Sequence, residues 1–438
     1  MGLSSFPPDT PVRRFTRPFA RFLAVESAGG VVLLVCAVVA LVAANSPVAD
    51  SYQHFWHTRV WLEIGGRGLG GALGEFVVND VLMTLFFFVV GLEIKREVVT
   101  GELRDPRKAA LPVAAALGGM LAPAGIYLAL HAGGPAARGW GVPTATDIAF
   151  VVGVMALLGR RVPFGLKITL LSLAIADDIG AVVVIAAFYS TNLAWGMLGP
   201  AAVGFGAVWL MTRLGVRSVP VYAVVGVGIW LGVYQSGIHP TVAGVMLGLM
   251  TPAAAWIADA KLVAVLTDAA ARAPGDGHER FDVLRAVGIA AREGLSPLSR
   301  LEHFLHPWVG FVVMPLFALA NAGVAIQPGA LQDPVALAVA LGLVLGKPVG
   351  IVLFAYLAVR VGIAALPTGV NWKMMVGGGA LGGIGFTMSL FVAGLAFENP
   401  DHLTASKVGI IAGSTASALL GATLLAVVGR GQRPSPLR

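Results

Sequence analysis

Residues 170–189 read LLSLAIADDIGAVVVIAAFY. The run has membrane length and membrane composition, with two adjacent carboxylates, Asp177 and Asp178, in its middle. About 20 apolar residues are what a helix needs to cross the hydrocarbon core of a bilayer. On insertion scales an unpaired Asp at the bilayer centre costs roughly 2.5–3.5 kcal/mol. Two in a row, with no Lys or Arg in the same segment, need compensation from elsewhere. Acids at this depth face a bundle interior or a water-filled cavity and take part in moving ions or protons. The plainer alternative is a satisfied structural pair at a helix–helix contact. Adjacent residues on a helix diverge by roughly 100°. The two acids therefore point different ways and are expected to have different partners and roles.

The rest of the composition agrees with a chain of such spans. Of 438 residues, 57% are hydrophobic and 12% charged, with a mean hydropathy of +0.83. A soluble chain carries about 25% charged residues. The charge deficit together with 57 Gly reads as an all-α polytopic membrane protein, because glycine lets transmembrane helices approach closely. A β-barrel would show alternating ten-residue segments in place of continuous apolar runs. The net charge of +7 is spread over the connections, so it is no signal for nucleic acid. The single cysteine, Cys36, lies inside the first apolar run. It rules out an intramolecular disulfide framework and reads as a small core residue.

Using a need for about 20 apolar residues per span, twelve spans are expected, at roughly 27–45, 76–94, 109–130, 143–159, 167–189, 194–212, 219–235, 238–252, 306–325, 335–357, 374–397 and 405–428. Of 30 Lys and Arg, the N-terminus, the even-numbered connections and the C-terminus hold 25, with residues at span ends counted in the adjoining connection. The odd-numbered connections hold Arg59, Arg67, Arg138 and Lys407, and Lys347 falls inside a span. The positive-inside rule then places both termini in the cytoplasm. The Arg-Arg at 13–14 faintly resembles a twin-arginine signal, but the many spans that follow favour an uncleaved first helix. Phe15, Phe19 and Phe22 alternate with Arg14, Arg17 and Arg21. Residues 1–26 therefore read as a cytoplasmic amphipathic segment on the membrane surface. Residues 27–428 read as one transmembrane transporter domain, and 429–438 as a cytoplasmic tail.

Three connections stand out. Residues 46–75 form a long external loop, in which 59–64 followed by Gly65-Gly66 predicts a strand and turn. A small β-hairpin there would offer an edge for subunit pairing. Residues 93–108 are internal and dense in both signs of charge. Residues 253–305 are the longest polar insert, internal, and expected to contain an amphipathic helix. No connection is large enough to be a soluble enzyme domain.

Two spans look broken. The fourth opens Gly139-Trp-Gly-Val-Pro-Thr-Ala-Thr-Asp147, and the eleventh carries Gly377-Gly-Gly-Ala-Leu-Gly-Gly-Ile-Gly385 before Phe-Thr-Met-Ser389. Unwound backbone at membrane depth is tolerated where it lines a cavity. A pair of such breaks in corresponding positions of two halves points to a transporter's ion site. Spans three to five and ten to twelve would be the matching triplets. Close packing by small residues is the competing reading of the glycine cluster.

Four ionisable groups thus sit where hydrocarbon should be: Asp147, Asp177, Asp178 and Lys347. Uncompensated, they would cost on the order of 10–14 kcal/mol, comparable to the whole stability of an ordinary domain. They must compensate one another, broken-helix ends or bound ions. Lys347 precedes a proline, which predicts a kink. Three acids and one base leave two surplus negative charges, which a small hard cation or protons could neutralise. Hard cations prefer oxygen ligands, and the carboxylates, Thr146 and freed backbone carbonyls are all oxygens. Two coupled acids release protons in steps that belong to the pair, so cations and protons compete for the same oxygens. Competition combined with alternating exposure is enough for exchange. The physics reaches a cation/proton exchanger and does not choose among Na+, Li+ and K+.

Seven segments resemble the bacterial NhaA sodium/proton antiporters. They are Asn79-Asp80 with Phe86-Phe87-Phe88-Val-Val-Gly-Leu-Glu-Ile-Lys-Arg-Glu97, Pro143-Thr-Ala-Thr-Asp147-Ile-Ala-Phe, Ile175-Ala-Asp-Asp-Ile179, Leu301-Glu-His-Phe-Leu-His-Pro-Trp308, Asn321-Ala-Gly-Val, Gly346-Lys-Pro and Gly383-Ile-Gly-Phe-Thr-Met-Ser389. The similarity runs over nearly the whole chain. It implies inverted repeats with two broken, crossing helices, the architecture the family is expected to share. It implies Asp178 as principal cation ligand and proton carrier, with Asp177 beside it, so that Na+ would bind at Asp177 and Asp178. Asp177 would pair with Lys347 in one protonation state, and Lys347 would then carry a proton too. Asp147 and Thr146 would sit where the broken helices cross and offset their dipole ends. Asp80 would be a further acid with a structural role. Glu93, Arg96, Glu97, Glu302 and His303 would form a pH-response cluster, and His239, which matches a family histidine, would belong to the pH response as well. For each of these the competing reading is a plain solvated or structural group.

The resemblance further implies electrogenic exchange of cytoplasmic Na+ (or Li+) for external H+ in a bacterial inner membrane, with no cofactor. It also implies contact with membrane lipids and a homodimer formed through the external loop 46–75. The N-terminus and the insert before span nine are longer than the family's, and Ser299 stands where a Lys is expected. An intramembrane aspartyl protease would need Gly-x-Gly-Asp and Tyr-Asp signatures, which are absent. A passive cation channel sits awkwardly with a buried Lys. A related exchanger using K+ or Ca2+ is a third alternative, since two surplus charges could hold a divalent ion.

Overall fold

The structure, a computed structural model, describes residues 26–64, 67–190, 194–272, 277–326 and 329–429. The expected amphipathic segment and the C-terminal tail therefore lie outside the described residues, apart from one residue each. Helix α1 (Glu26–Ala44) leads through α2 (Ala49–His57) to strands β1 (Arg59–Ile64) and β2 (Arg67–Ala72). A π-helical stretch, Leu73–Leu82, continues as α3 (Met83–Val99), followed by α4 (Pro106–His131). A 3-10 segment, Ala137–Thr144, precedes α5 (Ile148–Leu158), α6 (Phe164–Phe188), α7 (Trp195–Arg213), α8 (Val219–Gln235) and α9 (Thr241–Met250). The insert holds α10 (Asp259–Arg272) and α11 (Gly277–Glu293). After it come α12 (Pro297–Trp308), a π-turn, Val309–Val313, and α13 (Met314–Asn321). Next are α14 (Pro334–Leu341), a π-turn, Gly342–Gly346, and α15 (Lys347–Val361). The chain closes with α16 (Trp372–Gly382), α17 (Phe386–Ala396) and α18 (Pro400–Gly429).

Among the described residues, eight helical stretches are long and apolar enough to cross a membrane, and two bent pairs raise that to ten. The chain is an all-α, multi-pass membrane protein. The seventh and eighth expected spans fall on shorter apolar helices, α8 and α9. At 1.5 Å per residue, α9 is roughly 15 Å long, about half a bilayer core. Pro240 and His239, at its start, belong to an irregular lead-in that a hydropathy window counts as helix. Helix α1 has the two faces a membrane bundle requires: Leu33, Ala37, Ala40 and Ala44 are buried, and Leu34, Val35, Val38 and Val42 are exposed. Spacings of three and four place each set on its own side.

The residues form two compact units. The first takes the described residues of 1–79, 106–185 and 310–438, and the second those of 80–105 and 186–309. In the first unit, α4 packs along α15 through two facing glycines. A Cβ at Gly118 would overlap the carbonyl of Gly350, and one at Gly350 would overlap that of Gly118. In the second unit, Gly91 of α3 and Gly248 of α9 meet in the same way, each with no room for a Cβ. Close approach of this kind is what small residues provide between membrane helices.

The expected β-hairpin is present. β1 pairs antiparallel with β2, from Arg59 opposite Ala72 to Ile64 opposite Arg67. Trp61 lies opposite Gly70, and its ring covers Gly68. The bare glycines leave the space that the indole fills. The insert contains two successive helices, α10 and α11, where one amphipathic helix was expected.

Candidate functional site

The fourth span is broken at Ala145-Thr146-Asp147, between its 3-10 half and α5. The eleventh is broken at Gly383-Ile384-Gly385, between α16 and α17, with a bend of 46°. The breaks touch. Asp147 N donates to Ile384 O at 2.7 Å, and the Thr146 hydroxyl lies 3.0 Å from Gly382 O. Both therefore leave backbone polar groups at helix ends in the interior of the first unit, and the neighbouring side chains answer them one by one.

Asp147 answers the two N-termini. Its Oδ1 accepts from Phe150 N at 3.2 Å, the first turn of α5. Its Oδ2 accepts from Thr387 N at 3.0 Å, the first turn of α17, and from the Thr387 hydroxyl. One buried carboxylate thus caps two half-helices and faces two positive dipole ends. Ser414 supplies a further cap: its Oγ accepts from Gly385 N at 3.2 Å and Phe386 N at 3.1 Å. Ser389 Oγ donates to Val142 O at 2.7 Å, tying α17 to the 3-10 half-span.

Lys347 answers a C-terminus. It opens α15 just after the π-turn, fully buried. Its ammonium donates to Thr144 O, the last residue of the 3-10 half, and to Asp177 Oδ2 at 2.6 Å. Asp177 Oδ2 also accepts from the Thr146 hydroxyl at 2.6 Å. Asp177 Oδ1 is buried and makes no hydrogen bond. Asp178, next along α6, is likewise buried, and its charge acts on Lys347. Asp147, Thr146, Asp177 and Lys347 are thus brought to one crossing, and Asp178 is held beside it by its neighbour. Among the described residues no three His, Cys, Asp or Glu side chains group as a metal site. A cation here would draw on carboxylates together with hydroxyl and carbonyl oxygens, a ligand set suited to a hard ion.

A profile of the Na+/H+ antiporter 1 family matches residues 20–425. This chain belongs to that family. Similar proteins include the Na(+)/H(+) antiporter NhaA of Rhodopirellula baltica, 51% identical over 422 residues, covering 95% of this chain and 96% of the relative. The Na(+)/H(+) antiporter NhaA 2 of Acidiphilium cryptum is 51% identical over 427 residues, covering 97% and 95%. The Na(+)/H(+) antiporter NhaA of Rhizobium meliloti is 49% identical over 418 residues, covering 94% and 95%.

In this family member the second unit holds the remaining candidate residues. Asp80 and His239 meet, Oδ1 to Nε2, at 3.6 Å, and His239 Nδ1 lies 2.8 Å from the Thr241 hydroxyl. Arg96 pairs with Glu302 and, at 3.5 Å, with Glu97. Glu93 faces His306 at 3.7 Å. Glu93, Arg96, Glu97 and Glu302, expected to respond to pH, thus lie together. His303 and His306 are both exposed, and His306, four residues after Glu302, is the one that reaches Glu93. On a helix that spacing puts two side chains on one face.

Sequence reasoning did not single out Thr387, Ser389, Ser414 or the carbonyl of Thr144. Thr387 and Ser389 follow the glycine run that reads as a break, and the sequence reading gives them no role of their own. Hydroxyls directly after a glycine break are the signal that would have found them, since a helix start needs acceptors and side chains such as Thr supply local donors. Ser414 is one of several small polar residues in an apolar helix, and nothing in its local sequence distinguishes it.

Proposed function

We propose that the chain exchanges cytoplasmic Na+ (or Li+) for external H+ by alternating access in a bacterial inner membrane, electrogenically and under pH control. Both termini are inferred to be cytoplasmic. The observation that carries this reading is the buried Asp177–Lys347 pair at 2.6 Å, beside Asp178 and with Asp177 Oδ1 making no hydrogen bond. A sodium ion approaching Asp178 and that oxygen competes with Lys347 for Asp177. Its arrival therefore releases protons held among the three groups. Proton return reforms the pair. With Asp178 protonated and the pair closed, the three groups sum to zero charge. If sodium displaces two protons, the sodium-loaded site carries one negative charge. The two loaded forms then differ by one charge, which is what makes exchange electrogenic. The proton-carrying role is shared among Asp177, Asp178 and Lys347.

The Thr146 hydroxyl supports this cycle. It has one proton and two acceptors within reach, Asp177 Oδ2 and Gly382 O. With Asp177 ionised it donates to the carboxylate. With Asp177 protonated it can accept and turn its own proton to Gly382 O. Loading of the site is thereby felt at the C-terminal end of α16. Proximity of Glu93, Arg96, Glu97, Glu302 and His306 supports their acting as one pH-responsive group.

The experiment is proton movement in everted membrane vesicles on adding Na+, Li+ or K+, for wild type and Asp178→Asn. Release of trapped protons by Na+ and Li+ in wild type, lost in the variant, is the expected outcome. Exchange that survives in the variant would remove Asp178 from its central role. No coupled proton movement in wild type at any pH from weakly acid to alkaline would overturn the exchanger reading.

We also infer a homodimer joined through residues 46–75. An isolated two-stranded hairpin is marginally stable in water. Both outer edges of the β1–β2 ribbon can accept a further strand, and Trp61 is 65% exposed on it.

A further inference from the structure

We propose that α10 and α11 form a hairpin that lies on the bilayer surface, with one apolar face in the headgroup region and arginines on the phosphates of anionic lipids. This rests on the membrane-spanning fold and not on ion exchange. The two helices pack on each other. Trp256 N and Ile257 N, just before α10, donate to Glu293 O at the end of α11, at 3.1 and 3.2 Å. The helices therefore run antiparallel. Leu262 and Val265 on α10, and Val283 and Val287 on α11, are the partly buried positions between them.

A second apolar stripe on each helix is left uncovered. Val263 is 61% and Leu266 44% exposed on α10, and Phe281 is 65% and Leu284 57% exposed on α11. At roughly 100° per residue, each stripe is displaced from its packing stripe in the same rotational sense. Antiparallel helices turn equal displacements to the same side. The two stripes thus make one continuous face. Arg285 and Arg292, seven residues apart, run along the outer margin of that face on α11, and Arg280 lies at its inner margin. Asp268 and Asp282 fall on the opposite side. Asp259, the first residue of α10, is the acid that shares the apolar side. Ile289 points away from it.

Membrane height favours lipid as the occupant. The base of the hairpin is fastened to the ends of apolar helices. Leu298 N, at the start of α12, donates to Pro252 O, two residues beyond α9, at 3.2 Å. Arg217, two residues before α8, pairs with Glu293 at 2.9 Å and stacks on Trp256 at 4.9 Å. A hairpin fixed at that level meets the interface, where an apolar face edged by arginine is the pattern of an in-plane helix. The arginine stems cover apolar surface while their heads reach phosphate. An anionic leaflet adds attraction for each arginine near it.

The test is spin-label accessibility on the full chain in nanodiscs, with Cys36→Ala as background. Labels replace Ala270 and Ala291 on the apolar side, and Lys261 and Ala286 on the opposite side. In discs rich in phosphatidylglycerol, the first pair should collide with oxygen in preference to an aqueous nickel chelate, and the second pair should show the reverse. Arg285→Glu combined with Arg292→Glu should lower the depth reading of the first pair in these discs and leave it unchanged in pure phosphatidylcholine. Equal nickel access on both sides would overturn the proposal in favour of a solvated hairpin. Loss of both collision types at Ala270 and Ala291 would overturn it in favour of a second copy or another protein covering the face. A depth reading indifferent to the arginine changes in anionic discs would remove the phosphate contact.

Discussion

At the residue scale, the energetics turn on Lys347 and Asp177. Each is buried beyond the reach of water, so each is tolerable because of the other. Removing one partner of a buried pair strands an uncompensated charge and costs roughly 3–5 kcal/mol, whereas removing both is close to neutral. Lys347→Met is therefore expected to destabilise the protein by about 3–5 kcal/mol, and Asp177→Asn with Lys347→Met to recover most of that loss. Thermal unfolding in detergent at neutral pH checks the order. If the double variant melts no higher than Lys347→Met, the pair is not the source of the cost. The four intramembrane charges were legible in the sequence because hydropathy makes any charge in an apolar run conspicuous. Their pairing was not. Asp177 and Asp178 carry the same label on the same helix, and only the crossing geometry puts Lys347 against Asp177 Oδ2 at 2.6 Å. The family resemblance supplied that pairing where residue-by-residue reasoning could not.

At the element scale, the two broken spans were readable as breaks, since glycine-rich and proline-bearing runs weaken a helical ladder, although α16 continues through Gly377–Gly382 and gives way at Gly383-Ile384-Gly385. How the breaks are held together was not readable. Local sequence gives Asp147 as a cap for α5 and says nothing of Thr387, 240 residues away. Asp147 serves two helix starts, and each cap is worth roughly 0.5–2 kcal/mol, with a further charge–dipole contribution of roughly 0.3–1 kcal/mol per end. Asp147→Asn keeps an acceptor and drops the charge. Asp147→Ala drops both and leaves Phe150 N and Thr387 N unanswered. Melting temperatures should fall in the order wild type, Asn, Ala, with the alanine variant losing about 1–4 kcal/mol by the sum of two caps. An alanine variant as stable as the asparagine one would mean that water or another side chain already meets those amides. The insert illustrates the opposite limit. Its amphipathic character was legible, and Pro274-Gly275-Asp276-Gly277 is a breaker signal between two helices; the antiparallel packing of α10 on α11 is what a helical period does not encode.

At the scale of the whole molecule, the question is what joins one copy to another. The strand at 59–64 was legible because Val60, Trp61 and Ile64 precede a glycine pair, while Gly65 and Gly66, read as the turn, lie outside the described residues. The structure adds how the ribbon is mounted. Leu73 N donates to Thr58 O at 2.9 Å, so the chain enters and leaves the hairpin through one closed hydrogen bond. Residues 59–72 can therefore be excised and 58 rejoined to 73 by a short Gly-Ser link with little demand on α2 or on the helix that begins at Leu73. The candidate ion-site residues lie on other elements, α6, α15 and the two broken spans. Excision is expected to leave the chain monomeric in detergent where the intact chain forms the proposed homodimer, read by light scattering or native mass spectrometry. Na+-driven proton release in vesicles should persist, because each copy carries its own Asp177, Asp178 and Lys347. A dimer that survives excision would place the interface on helix faces. A monomer without exchange would instead mean that pairing of copies supports the working of each ion site.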